Sequence, residues 1–125
     1  MTHHVPFHLS IGVHSLEESA KFFTDVLGGS VTHEDASGYI NVEVFGSQIT
    51  LKKNSDARPD QLADLHFGFN LSWGEFEQLS KRIVDSEYQG VVMKPKVADG
   101  GTSMERIKMY LKCPTGYLVE LKGYK

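Results

Sequence analysis

From Val5 to Val13 the chain alternates: Val5, Phe7, Leu9, Ile11 and Val13 are apolar, with His8, Ser10 and Gly12 between them. A period of two predicts a strand with one buried face, and Pro6 falls at its start, where a missing N–H is tolerated. The period then changes. Ser15 and Glu18 have the spacing of a capping box, and Leu16, Ala20, Phe23 and Leu27 follow at helical intervals until Gly28 and Gly29 end the helix. Short strands are expected near residues 30–34, 38–45 and 48–53, the last two joined by a hairpin around Gly46-Ser47.

After a polar, proline-containing stretch at 54–63 the same pattern returns. Leu65, Phe67, Phe69 and Leu71 alternate with His66, Gly68, Asn70 and Ser72; Ser72 and Glu75 repeat the cap; Trp73, Phe76, Leu79 and Ile83 repeat the helical stripe. Strands near 89–94, 105–112 and 117–122 complete the second pass. HLSIGVHSL at 8–16 therefore answers to HFGFNLS at 66–72, and ITLK at 49–52 answers to VELK at 119–122. An internal repeat predicts two like modules. The expected fold is α+β, a single domain over 1–125 made of two βαβββ modules, about 5–53 and 64–123, joined by a linker at 54–63. Each sheet packs a helix on its apolar face, and the two open faces are expected to curl into one cup.

Strand parity assigns the lining of that cup. His8, Ser10, His66 and Asn70 point away from the apolar faces, as do Asn41, Glu43, Gln48 and Thr50. In the last two strands Ile107, Met109 and Leu111, with Tyr117, Val119 and Leu121, take the packed side, which leaves Tyr110 and Glu120 on the open one. His8 and His66 are repeat equivalents, and Glu120 stands where the first copy has Thr50. Two imidazoles and a carboxylate suit Fe(II), Mn(II), Zn(II) or Ni(II), and three ligands leave room for a chelating substrate. The remaining histidines, His3, His4, His14 and His33, read as solvated surface, and Glu43 as a substrate contact at most. Cys113 reads as a small residue before a Pro-Thr-Gly turn, and residues 98–103 as a mobile, Gly-rich flap rather than a phosphate cradle.

Composition narrows the partners. The chain has 125 residues and a formal charge of −3, with no basic footprint for nucleic acid. No apolar run approaches the roughly 20 residues that span a bilayer, and no signal-peptide pattern opens the sequence. One cysteine suits a reducing cytoplasm.

From FHLSIGVHSLEESAKFFTDVLGG to CPTGYLVELKGY the chain resembles the vicinal oxygen chelate superfamily, which includes glyoxalases, bleomycin-resistance proteins, extradiol dioxygenases and fosfomycin-resistance transferases. The resemblance implies metal ligands on the strands that carry His8, Thr50, His66 and Glu120. Thr50 is a departure, because glyoxalases fill all four positions with ligating side chains. The stretch Tyr110-Leu111-Lys112-Cys113-Pro114-Thr115-Gly116 leading to Glu120 is similar to the extradiol motif. It lacks that motif's upstream histidine, since Gly101, Thr102 and Ser103 stand there. The resemblance thus implies a metal-dependent, dioxygenase-like or glyoxalase-like enzyme using Fe(II) before Mn(II), Zn(II) or Ni(II), with Tyr110 as hydrogen-bond or proton donor. It also implies a homodimer, which paired sheet edges would favour. The rivals are a ligand-sequestering protein without chemistry and a transferase resembling the fosfomycin enzymes.

Overall fold

The computed structural model describes residues 5–62 and 64–125, so His3 and His4 lie outside the described residues. The chain forms two compact units that divide between Ala57 and Arg58.

In the first unit, β1 (His8–Val13) leads into α1 (Leu16–Lys21), a π-helical turn (Phe22–Val26), β2 (Ser30–Asp35), β3 (Tyr39–Val44) and β4 (Ser47–Lys53). The sheet order is β1-β4-β3-β2, with β1 parallel to β4 and the other pairs antiparallel. Val13, Phe22, Phe23, Leu27, Val42, Val44, Ile49 and Leu51 are buried in this unit. The phenylalanine rings meet edge to face, with centroids 5.1 Å apart.

The second unit opens with a 3-10 turn (Pro59–Gln61) and continues through β5 (Phe67–Ser72), α2 (Trp73–Asp85), β6 (Val91–Ala98), β7 (Arg106–Lys112) and β8 (Leu118–Tyr124). Its order, β5-β8-β7-β6 with β5 parallel to β8, repeats that of the first unit. Phe76, Leu79 and Ile83 of α2 are buried, as are Met109, Leu111, Val119 and Leu121 of the sheet. Ser72 and Glu75 complete both bonds of the capping box, which fixes where α2 starts.

Several expectations change in detail. The first helix is not α-helical throughout: Leu27 N–H reaches Phe22 C=O at 3.2 Å, an i to i+5 bond, and the wider turn lets Phe22 bury beside Phe23. At its start Ser15 accepts from Glu18 N–H at 3.2 Å, so the side chain makes the cap bond. Val5 and Phe7 are exposed, because β1 begins only at His8. The β3–β4 hairpin turns on Phe45 and Gly46, both at positive φ (50° and 78°), while Ser47 already pairs with Val44. β6 runs on to Ala98, past two register shifts, the second of which spans Pro95 on an edge strand.

The segment expected as a flap is a closed hairpin end instead. Thr102 Oγ1 donates to Asp99 C=O at 2.6 Å, Gly101 N–H donates to Glu105 Oε1 at 2.9 Å, and Arg106 pairs with Asp99 at 2.5 Å. His14 is exposed, yet its Nε2 lies 2.7 Å from Ala57 C=O and ties the segment after β4 to the end of β1. No helix among the described residues is long and apolar enough to cross a membrane.

Candidate metal centre

The open face of the second sheet holds the clearest chemistry. β5 and β8 run parallel with Gly68 opposite Glu120, and β7 places Tyr110 opposite the same glutamate. His66 precedes β5 and reaches back, so that its Nε2 lies 3.2 Å from Glu120 Oε1. Glu120 is only 6% exposed. A carboxylate this buried requires cationic or hydrogen-bonding partners. His66 is one; Lys122, two residues on along β8, is another, with its ammonium 3.8 Å from the same oxygen. The Tyr110 ring stands edge-on to His66, with centroids 6.0 Å apart. Burial, and then the neighbouring Glu120 carboxylate, push the Tyr110 phenol above its ordinary pKa, so it keeps its proton at neutral pH.

Two donors bound to one ion at about 2.1 Å, at right angles, are themselves about 3 Å apart. The 3.2 Å between His66 Nε2 and Glu120 Oε1, a direct contact of the two side chains, is compatible with that separation. Imidazole nitrogen and carboxylate oxygen are both ordinary donors for a divalent transition metal, so this pair fits one.

The first unit carries the equivalent register. Ser10 pairs with Thr50, and Thr50 pairs with Asn41 across β3, as Gly68 pairs with Glu120 and Glu120 with Tyr110. His8 stands two residues before Ser10, as His66 stands two before Gly68. The Thr50 hydroxyl donates to Asn41 Oδ1 at 2.7 Å, so the position equivalent to Glu120 holds a neutral side chain already bonded to its neighbour. His8, Ser10, Tyr39, Asn41, Thr50 and Lys52 line a cleft of about 670 Å³ on this unit.

Of the residues singled out from sequence, His66, Glu120 and Tyr110 thus come together within one unit, and His8 belongs to the other. No group of three or more His, Cys, Asp or Glu side chains placed to hold a metal occurs among the described residues. Glu43 is exposed, opposite Gln48. His33 is exposed as expected and contacts Asp35 at 3.4 Å. Cys113 is buried in the Cys113–Gly116 turn, and burial raises its thiol pKa. A raised pKa disfavours the reactive thiolate. Sequence reasoning missed Lys122 and the Asn41–Thr50 bond. Parity could have found the lysine, since it lies two residues from Glu120 on the same face.

Comparison with known proteins agrees with this architecture. The Glyoxalase/Bleomycin resistance protein/Dioxygenase superfamily profile matches residues 6–121, and the chain belongs to that superfamily. Among solved structures, a glyoxalase/bleomycin resistance protein/dioxygenase from Alicyclobacillus acidocaldarius superposes with a TM-score of 0.83 at 23% identity, covering 96% of this chain and 91% of that one. A lactoylglutathione lyase from Agrobacterium tumefaciens gives 0.71 at 16% identity, covering 95% and 92%. A mutant of the fosfomycin resistance protein FosX from Listeria monocytogenes, complexed with Mn(II) and a dihydroxypropylphosphonic acid, gives 0.71 at 17% identity, covering 100% and 93%. At these identities the likeness is one of fold. No curated protein sequence matches the chain.

Proposed function

We propose that this protein is a metal-dependent enzyme acting on a small molecule that chelates through neighbouring oxygens. His66 and Glu120 supply two ligands and His8 the third. The observation that carries the reading is the His66–Glu120 pair, set at a separation compatible with two ligands on one ion and flanked by a protonated phenol. His8 joins the set because it occupies the same register position in its own module as His66 does in the second. A bound divalent metal would polarise a chelated oxygen and acidify the groups beside it. Tyr110 keeps its proton and donates a hydrogen bond to a substrate oxygen. The Lys122 ammonium lies 3.8 Å from the Glu120 carboxylate and offsets part of its charge. Fe(II) is the first choice of metal on the extradiol-like run from Tyr110 to Glu120, with Mn(II), Zn(II) and Ni(II) as alternatives.

The lone buried cysteine suits a reducing cytoplasm. The unit of function is a homodimer of the 14.0 kDa chain, because β2 and β6 are edge strands that carry exposed Val31, Val92 and Val97.

Anaerobic reconstitution with each of the four metals tests the reading. One ion per chain is expected, lost in His8→Ala, His66→Ala and Glu120→Ala with the circular dichroism spectrum retained. If wild type retains none of the four, the enzyme reading is wrong and ligand sequestration replaces it. Mixing the His8→Ala and Glu120→Ala proteins then asks whose ligands make each site: metal binding restored in the mixture assigns His8 and Glu120 of one site to different chains.

A further inference from the structure

Beside the Glu120–Tyr110 row, the open face of the second sheet carries three lysines in line. Lys96 pairs with Lys108, and Lys108 pairs with Lys122, across three adjacent strands. Directly opposite partners have Cα atoms about 4.5–5.5 Å apart, and like charges there are destabilising. Three other cations on this unit face carboxylates: Arg106 meets Asp99 at 2.5 Å, Lys125 meets Glu105 at 2.8 Å and Lys81 meets Asp85 at 2.6 Å. Among the described residues no carboxylate lies within 4.0 Å of Lys96 or Lys108, and Lys122 has only the distant edge of its contact with Glu120, at 3.8 Å. Lys108 instead leans over the Tyr110 ring, 5.8 Å from its centroid, toward the row that holds the candidate ligands.

The first module lacks this feature. Its equivalent row reads Lys52, Tyr39 and Asp35, one cation balanced by one anion. The lysine row is therefore a departure from the repeat, as Glu120 is, and it lies two residues along the strands from Glu120. That step is about 7 Å.

We propose that Lys108 and Lys122, with Lys96 at the rim, form an oxyanion subsite, so that the substrate carries a carboxylate, phosphonate or phosphate a few bonds from its chelating oxygens. The assignment of this subsite to a substrate rests on the metal reading above; the binding of an anion does not. Occupation of Glu120 by a metal would repel the Lys122 ammonium from its present partner and leave it for the anion. Chelation and anion binding would then reinforce one another.

The test uses metal-free protein labelled with ¹⁵N, titrated at low ionic strength with methylphosphonate, inorganic phosphate and acetate while backbone amide shifts are followed. Saturable shifts centred on residues 96, 108 and 122 are expected. The Lys108→Gln, Lys122→Gln double variant should weaken binding at least tenfold, whereas the charge-matched Lys21→Gln, Lys81→Gln variant should leave it within twofold. Saturation by the phosphorus acids alone supports a phosphoryl or phosphonate substrate; equal saturation by acetate supports a carboxylate. Absence of saturable shifts at these residues, or equal binding by the double variant, overturns the subsite. Because no metal is present, failure of the metal reading leaves this result standing, and metal binding without anion binding rejects the subsite alone.

Discussion

Gly68 is the position where one added carbon should cost most. It sits opposite Glu120 in the parallel β5–β8 pair. A Cβ built there would lie 1.7 Å from the Glu120 carbonyl oxygen, 2.6 Å from its carbonyl carbon and 3.0 Å from its nitrogen. All three are backbone atoms, so no side chain can swing aside. The φ of Gly68 is not among the positive ones, which makes the constraint one of space rather than of conformation. To accept alanine, β5 and β8 must part by more than about 1 Å, which stretches ladder bonds of about 2.9 Å past the hydrogen-bonding limit. Two such bonds at a net of about 1 kcal/mol each, plus overpacking strain of about 1–3 kcal/mol, put the cost of Gly68→Ala at about 3–5 kcal/mol. For a chain of this size that is a fall in Tm of about 10–20 °C. The displaced strand carries Glu120, so metal affinity should fall at least tenfold as well. Urea and thermal unfolding followed by circular dichroism measure the first effect, and metal titration the second. A variant melting within about 2 °C of wild type would refute the reasoning. The module repeat alone suggests the opposite outcome, since Ser10 carries a side chain at the equivalent place opposite Thr50.

Gly74, in the first turn of α2, has open space where a Cβ would go, with nothing within 4 Å of it, so Gly74→Ala should stabilise by about 0.5–1 kcal/mol, read as a higher urea midpoint with unchanged slope. Burial, and then proximity to Cys113, push the Tyr88 phenol up to about 12 from its ordinary 10, while its hydroxyl donates to Lys112 C=O at 2.5 Å. The unfolded chain therefore loses that proton first. The part of the stability that Tyr88 supplies should hold below pH 10 and, with solvent screening, fall by about 1–2 kcal/mol as pH rises toward 12. Tyr88→Phe should remove that fall, and parallel losses in both proteins would reject it. Thr50→Glu breaks the bond to Asn41 and buries a carboxylate, so the metal-free variant should lose about 1–3 kcal/mol; Mn(II) should recover it, with higher affinity than wild type, in a thermal melt with and without the ion.

The architecture was legible because alternation and capping are local. Alternation needs no partner strand to be read: Ile11, Val13, Ile49 and Leu51 announce their buried face by parity alone, and Ser72 with Glu75 marks the start of α2 wherever the helix packs. The π-helical turn was not legible, since Phe23 and Leu27 remain four apart whether the turn is α or π. The difference lies in which carbonyl receives the Leu27 N–H. Parity likewise brought His66, Tyr110 and Glu120 to one face, but the 3.2 Å contact depends on a β5–β8 register that no local pattern encodes. The lysine row was hidden for the same reason, because Lys96, Lys108 and Lys122 align only once three strands are paired.

The parallel pairing within each module also sets the order in which the protein can be completed. Among the described residues β1 has no sheet neighbour but β4, and β5 none but β8, so the opening strand of each module waits unpaired while the strands after it are made. The pair Phe67 and Val119 closes a long loop, whereas the β7–β8 hairpin closes a short one. Loop closure of this kind is slow relative to hairpin formation. The meander β6-β7-β8 should assemble first and β5 dock last, bringing His66 to a glutamate already in place. During synthesis the first module can close once residue 53 has emerged, while the second remains without its histidine until β8 has formed. The His66–Glu120 contact should accordingly form late, and its appearance would mark the end of folding in that module.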